Sequence, residues 1–287
     1  MDIGIGIPNS IPGTTGSQLL EWARRAEAAG FSSLATIGAV SYPSYEELTL
    51  FAAAGAVTER IRFMPNVLIS PARSTAELAK QAATVQQLTG GRLTLGLGVG
   101  WRESDYQLTG KPFRDRGRLF DEQLADLKRA WAGEAIADGT RPVSPDPGPS
   151  GVPMIIGGHS EVAIRRVAEV GVGWSAGGLP PDAVKPLIDQ VRAAWSVAGR
   201  DGAPRNVALA CFALGQDKHE LARSNLFDYY SPMGDDMAQM IAGSFLSSPE
   251  AIKGAVAAFA DMGVDELMLD PAVSSLDQVD RLAEVVF

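Results

Sequence analysis

A chain of 287 residues with 46% hydrophobic side chains can form one large α/β domain or two smaller ones and can bury a substantial core. Its formal charge of -9 speaks against a phosphate-backbone binder, so nucleic acid is not an expected partner. The single cysteine, Cys211, excludes an intramolecular disulfide, and a cytoplasmic protein is the simple expectation.

The amino terminus, MDIGIGIPNS, has an acid at position 2 and a short alternating apolar run. It is neither the basic start of a signal peptide nor a membrane span, and it reads as a first strand over 3–8. Further strands are predicted over 33–37, 61–69, 93–99, 154–157, 173–176, 207–214 and 266–269, where apolar and β-branched residues cluster. Amphipathic segments rich in Ala, Leu, Glu and Arg separate them. Helices are predicted over 18–29, 76–88 and 119–131, each followed within two residues by Gly30, Gly90 or Gly133.

Alternating strand and helix, eight times over, in a chain slightly above ~250 residues matches a closed (β/α)8 barrel of the TIM type, and 1–287 is expected to be one such domain. An open doubly wound sheet is the competing architecture, but GIPNSIPGTTG after the first strand lacks the G-x-G-x-x-G fingerprint. Two stretches break the rhythm. The Pro- and Gly-rich AIADGTRPVSPDPGPSGVP, 135–153, reads as a surface connection. NLFDYYSPMGDDMAQMIAGSFLSSPE, after the seventh strand, holds more helix than one unit needs and could form a lid or an oligomer contact.

Several chemistries are excluded. With His159 and His219 as the only histidines and no C-x-x-C or H-x-x-x-H spacing, no metal site is expected. There is no G-x-S-x-G elbow and no G-x-x-x-x-G-K-[ST] loop. No predicted strand contains a Schiff-base Lys, and Asp270 is the main acid at a strand end. A barrel this poor in nucleophiles borrows a cofactor, or else only binds a ligand.

MIIGGHSEVAIRRVAEVGVGW, 154–174, is the most suggestive segment. Gly157 and Gly158 interrupt an apolar run just before a helix start, which suits an anion held by free N–H groups. The alternative is a plain strand-to-helix turn with Ser160 as N-cap.

The segment TERIRFMPNVLISPARSTAELAKQAATVQQLTGGRLTLGLGVGWRESDYQLTGKPFRDRGRLFDEQLADLKRAW resembles the third and fourth units of the bacterial luciferase-like flavin- and F420-dependent oxidoreductases. VPMIIGGHSEVAIRRVAEVGVGW is similar to their fifth strand, phosphate-side loop and sixth strand, and GVDELMLDPAVSSLDQVDRLAEVV to their eighth unit. The resemblance covers nearly the whole chain. It implies FMN or coenzyme F420 at the carboxyl ends of the strands and hydride or two-electron transfer to a small-molecule substrate or oxygen. It also implies a separate flavin or F420 reductase as a possible partner, and a possible homodimer, with no membrane contact. The rival from another class is a barrel that binds flavin or another phosphate ligand without turnover.

On this resemblance Gly157, Gly158, His159 and Ser160 hold the cofactor phosphate. Asn66 and Val67 match the place of a non-prolyl cis peptide behind the ring, with Asn66 either on the ring edge or satisfying a bulge. Gly98 and Gly100 let the ring or its side chain approach, or ease barrel packing. Trp101 is a rim or core aromatic. Trp174, Ser175 and Gly177 match a cofactor-side turn. Arg165 and Arg166 read as a solvated helix face, and Lys111, Arg114, Arg116 and Arg118 as surface charge or an anion patch. Two departures stand out: Val172 replaces an acid, and Gly38 and Ala39 stand where relatives carry Asp-His or Asp-Arg. No catalytic residue is assigned; Ser41 and Tyr42 lie nearby as candidate substrate contacts, and Asp105, where relatives carry Glu, reads as orienting a loop arginine or capping the short helix.

Overall fold

The computed structural model describes the whole chain, Met1–Phe287. Nine parallel strands form one sheet: β1 (Asp2–Gly6), β2 (Ser33–Thr36), β3 (Arg62–Pro65), β4 (Leu68–Ile69), β5 (Leu95–Gly98), β6 (Met154–Gly157), β7 (Gly173–Ser175), β8 (Arg205–Phe212) and β9 (Glu266–Pro271). Their order is β3-β2-β1-β9-β8-β7-β6-β5-β4. The bridge between Phe63 and Leu93 joins the two ends, so the sheet curls into a nearly closed barrel. Strands β3 and β4 are the two halves of one stave. The sequence predicts a continuous strand over 61–69, and the chain instead bends at Asn66–Val67.

Eleven α-helices surround the strands: α1 (Gly16–Ala29), α2 (Glu47–Gly55), α3 (Thr75–Leu88), α4 (Glu103–Thr109), α5 (Arg116–Trp131), α6 (Glu161–Val170), α7 (Pro181–Val197), α8 (His219–Tyr230), α9 (Asp235–Ala242), α10 (Pro249–Met262) and α11 (Asp277–Val286). The first shows how the sequence specifies them. Thr15 and Gln18 form a capping box, Gly30 ends the helix with φ 96°, and Leu19, Trp22, Ala23 and Ala26 make one buried stripe. The Pro-rich 132–153 connection carries no helix or strand, and α8 and α9 are the extra helices foreseen after the long strand.

Two apolar layers hold the fold. The larger comprises 50 buried residues between strands and helices. The smaller joins Ala35, Met64, Ile155, Val207, Leu209 and Met268, which come from five strands and can meet only inside the barrel. Burying each such side chain stabilises by about 1.5–3 kcal/mol.

The amino end of the barrel is closed by charge. Glu266 accepts from the hydroxyls of Ser32 and Ser33, from Arg205 at 2.7 Å and from Arg62 at 3.5 Å. Asp2 takes the same two arginines at 2.7 and 3.0 Å. Each of these four charges has an opposite partner.

Candidate functional site

At the carboxyl end the strands leave polar groups unmatched. The Asn66–Val67 peptide is cis, and the bend it makes separates β3 from β4. Asn66 is buried, and its Oδ1 accepts from the Ser175 hydroxyl of β7 at 2.5 Å. Its Nδ2 has no partner in the protein. Ser175 is itself fixed by accepting from the Gly177 N–H at 3.1 Å.

The bend dictates glycines on two neighbouring strands. A Cβ on Gly98 would stand 2.6 Å from Val67 Cγ2, and one on Gly157 would stand 3.0 Å from Val67 Cγ1. At Gly96 it would run into the Pro65 carbonyl. These glycines make room for the displaced Val67 stave, which is half-buried at the mouth. Gly100 has φ 66° and lies against Ile69, so it serves the turn after β5.

The loop after β6 joins two of the sequence readings. Ser160 caps α6 by accepting from the Ala163 N–H at 3.3 Å. The backbone N–H groups of Gly158, His159, Ser160, Glu161 and Val162 have no acceptor in the protein. They lie at the carboxyl face of the barrel, where the start of a helix favours an anion. The loop is held from behind. Trp174 Nε1 donates to the Gly158 carbonyl at 2.8 Å, and His159 Nε2 donates to the Ala176 carbonyl at 2.9 Å. Gly158 has φ 128°, and a Cβ there would stand 2.9 Å from the Ala163 Cβ.

A helical cover joins α8 to the segments that follow β2 and β5. Arg102, buried after β5, donates to the Tyr229 carbonyl of α8 at 2.8 Å, and its guanidinium faces the rings of Tyr42, Trp101 and Tyr229. Tyr42 donates to Asp228 at 2.6 Å, and Tyr229 to the Gly38 carbonyl at 3.1 Å. Burial first, then the bond to Asp228, pushes the Tyr42 hydroxyl well above its ordinary pKa. Tyr42 is therefore a poor acid at neutral pH.

Two carboxyls lie beneath this cover. Glu47, at the start of α2, fills the space that a side chain on Gly38 would need. Burial raises its pKa while Arg73, bonded to it at 2.5 Å, opposes the shift. Asp270, near the end of β9, lies against Gly6 of β1 in the same way. Its Oδ1 has no partner, and burial alone pushes its pKa up to about 7.

The structure brings Asn66, Val67, Gly157 and Ser175 together at the bend and sets Gly158, His159 and Ser160 in the loop beside it. Gly98 and Gly100 meet the side chains of Val67 and Ile69. Trp174 belongs to the layer between strands and helices and reaches the loop only from behind. Asp105 holds the N–H and hydroxyl of Ser41, at 2.8 and 2.7 Å, rather than an arginine. Arg165 and Arg166 pair with Asp121 and, for Arg165, Glu169, away from the loop. Of the basic run, Arg118 pairs with Glu122 and Arg116 covers the Phe113 ring. Lys111 lines a separate cleft of about 450 Å³ with Ala39, Ser44, Glu46, Glu47 and Arg73. Sequence reasoning missed Arg102, Tyr229 and Tyr230 as parts of the mouth; the aromatic pair in NLFDYY was their one signal.

Comparison with known proteins agrees with the fold. An uncharacterized protein of Mycobacterium tuberculosis is 33% identical over 207 residues, 62% of this chain and 71% of the relative. The FMNH2-dependent dimethylsulfone monooxygenase of Pseudomonas putida is 28% identical over 221 residues, 73% of this chain and 56% of that enzyme. Among solved structures, an F420-dependent secondary alcohol dehydrogenase in complex with an F420-acetone adduct superimposes with a TM-score of 0.81 at 18% identity, covering 99% of this chain and 98% of that one. The profile of the luciferase-like monooxygenases matches residues 1–286, and the chain belongs to that family.

Proposed function

We propose that the protein is a flavin- or F420-dependent oxidoreductase acting on a small organic substrate, with its cofactor laid from the Gly158–Val162 loop to the Asn66–Val67 bend. The observation that carries this reading is the orphaned Nδ2 of Asn66. A buried amide donor left unpaired is destabilising by about 1–3 kcal/mol, and the acceptor atoms along the edge of a flavin or deazaflavin ring would satisfy it. Both cofactors also carry a phosphate, for which the five free N–H groups of the loop are suited.

When bound, such a cofactor supplies two-electron transfer. The protein's residues bind and orient it. Ser175 fixes the Asn66 amide, Val67 backs the ring, Gly158 shapes the loop, and Trp174 and His159 keep that loop in place. The cover formed by α8 and Arg102 limits water at the carboxyl end of the barrel. The Pseudomonas putida relative is named for reduced FMN, and the solved dehydrogenase for F420. If this chain uses FMN, a separate reductase delivers the reduced flavin.

Parallel fluorescence titrations with FMN and with F420 test the proposal. Selective binding of one names the electron carrier. Binding of neither by folded protein would sink the reading and favour a barrel that has lost its cofactor.

A further inference from the structure

Resting on the function proposed above, we infer that Asp270 is the acid–base residue of this site and that it exchanges a proton with the oxygen of an uncharged carbonyl or alcohol substrate. The inference fills a specific gap. Gly38 and Ala39 stand at the end of β2, the space beside Gly38 is taken by Glu47, and Glu47 is held by Arg73. Tyr42 is bonded to Asp228. None of the groups around the end of β2 is free to move a proton at neutral pH.

Asp270 is free. Its side chain shares the inward face of β9 with Met268, two residues before it, which packs inside the barrel. It pairs in register with Cys211 of β8, and Gly6 of β1 has no side chain to obstruct the carboxyl. The Oδ1 atom is buried without any hydrogen bond. Natural interiors seldom leave a carboxyl in this state, because the unmet desolvation is large, and a functional role is the usual reason where they do. Strand β9 also lies across the barrel from the β5–β6 side.

The surroundings define the substrate class. The titratable groups nearest the carboxyl are Cys211 on β8 and Tyr229 and Tyr230 on α8, and burial holds all three in their neutral forms. Arg102 and Glu47 lie beyond Tyr229, and Glu47 is already paired with Arg73. Gly6 of β1 brings no charge. With no cation among its immediate neighbours, this wall does not suit a carboxylate or phosphate substrate. The neighbouring Ile37, Leu209 and Met268 make an apolar lining. A neutral acid in an apolar lining recognises an oxygen that accepts one hydrogen bond.

The step balances. In the reducing direction Asp270 gives its carboxyl hydrogen, as H⁺, to the carbonyl oxygen of a substrate whose carbon takes a hydride from the reduced flavin or deazaflavin. The hydride pair becomes the new C–H bond, the C=O π pair takes the proton as the O–H bond, the substrate gains two electrons and two hydrogens, and the carboxylate recovers its proton from solvent. In the oxidising direction Asp270 as carboxylate takes the hydroxyl proton while the C–H pair leaves as hydride to the oxidised cofactor.

Asp270→Asn tests it, because the amide keeps the shape and a donor but cannot give up a proton. Wild type and variant, each loaded with whichever cofactor binds, are titrated with acetone and cyclohexanone from pH 5.5 to 9. The wild type should bind ketone with constant affinity below about pH 7 and lose about tenfold per pH unit above it, whereas the variant's affinity should not change with pH. Single-turnover reduction of the ketone should slow by about 10²–10⁴-fold in the variant with its ketone affinity nearly intact. Infrared spectra of the cofactor-free protein give an independent readout: a protonated-carboxyl band at pH 6 that fades by pH 8.5 in wild type and is missing from the variant. Wild-type ketone affinity that is equal at pH 6 and pH 9, no ketone binding, or an unaltered band in the variant would each overturn the assignment. Uptake of neither cofactor, with the infrared titration intact, would instead overturn the function on which the step rests.

Discussion

Strand β9 carries two buried acids four residues apart, Glu266 at the amino end of the barrel and Asp270 at the carboxyl end, exposed by 2% and 4%. Glu266 accepts from two serine hydroxyls and two arginines. Asp270 has an unpaired oxygen and a pKa pushed up to about 7 by burial. Similar burial leaves one acid fully bonded and the other with an open oxygen because the partners differ. The amino end pairs Glu266 and Asp2 with Arg62 and Arg205 in one network that serves stability, with Asn206 Oδ1 near the start of β8 left unpartnered. The carboxyl end leaves Asn66 Nδ2, Thr36 Oγ1 and Asp270 Oδ1 without partners, and it is the end built to receive something.

The largest effect expected from breaking this contrast is at Asp270. The folded state raises its pKa from 3.8 to about 7, so between those values the unfolded chain holds fewer protons than the native one. Stability from this group is therefore full below about pH 4 and falls as pH rises, until the loss is complete above pH 7, at up to about 4 kcal/mol. Asp270→Asn removes the titration. Urea unfolding of the cofactor-free proteins should find the variant gaining on wild type by up to about 4 kcal/mol between pH 4 and pH 8. Parallel stability curves would mean that Asp270 is solvated in the native state.

Glu266→Ala should act in the other direction, lowering stability. It strips the Ser33 hydroxyl and Arg205 of their acceptor, while half-exposed Arg62 and Arg205 keep Asp2 and water. A loss of about 2–3 kcal/mol in denaturant unfolding, with cofactor affinity unchanged, is expected. A comparable loss of cofactor affinity would show that the two ends are coupled.

How much of this could be read in advance differs between the ends for a physical reason. Alternating apolar runs and Gly-terminated helices declare the barrel, since burial imposes period 2 on strands and 3.6 on helices wherever they occur. The 154–174 segment likewise declares a turn with open N–H groups, a purely local property. The bend at Asn66–Val67 is legible only through family resemblance, and its consequence for Gly96, Gly98 and Gly157 is not local at all. Those glycines answer to the Pro65 carbonyl and the Val67 side chain, some 30 to 90 positions away in sequence, on a strand brought alongside by closure of the barrel. Arg102 and Tyr229 meet across 127 positions for the same reason. Asp270 is visible in the sequence as the main acid at a strand end, but its missing partner is a fact about the space around it.

Asn66→Ala examines the carboxyl end at moderate cost. It deletes the orphaned donor together with the acceptor of the Ser175 hydroxyl, which still accepts from the Gly177 N–H. The cofactor-free variant should therefore stay within about 1 kcal/mol of wild type, while cofactor affinity falls roughly five- to tenfold, the value of one hydrogen bond. Equal affinity would place the ring elsewhere.

The smallest effect separates the two readings of the loop after β6. Ser160→Ala removes only the side-chain cap of α6 and costs about 0.5–1 kcal/mol of stability. It leaves all five free N–H groups and adds a sixth, that of Ala163, which the Ser160 oxygen had occupied. A loop that is merely a capped turn predicts lost stability and no change in ligand binding. A phosphate cradle predicts that the same variant slightly improves its affinity for cofactor, and that binding weakens with added inorganic phosphate, which competes for those N–H groups. Gly158 cannot make this distinction: at φ 128° and with Ala163 close behind, any side chain there strains the turn by about 1–3 kcal/mol whether or not a phosphate is held. Ser160 alters the cap while leaving the backbone path alone, and so the ligand titration at that position, read beside the unfolding curve, reports on the N–H groups themselves.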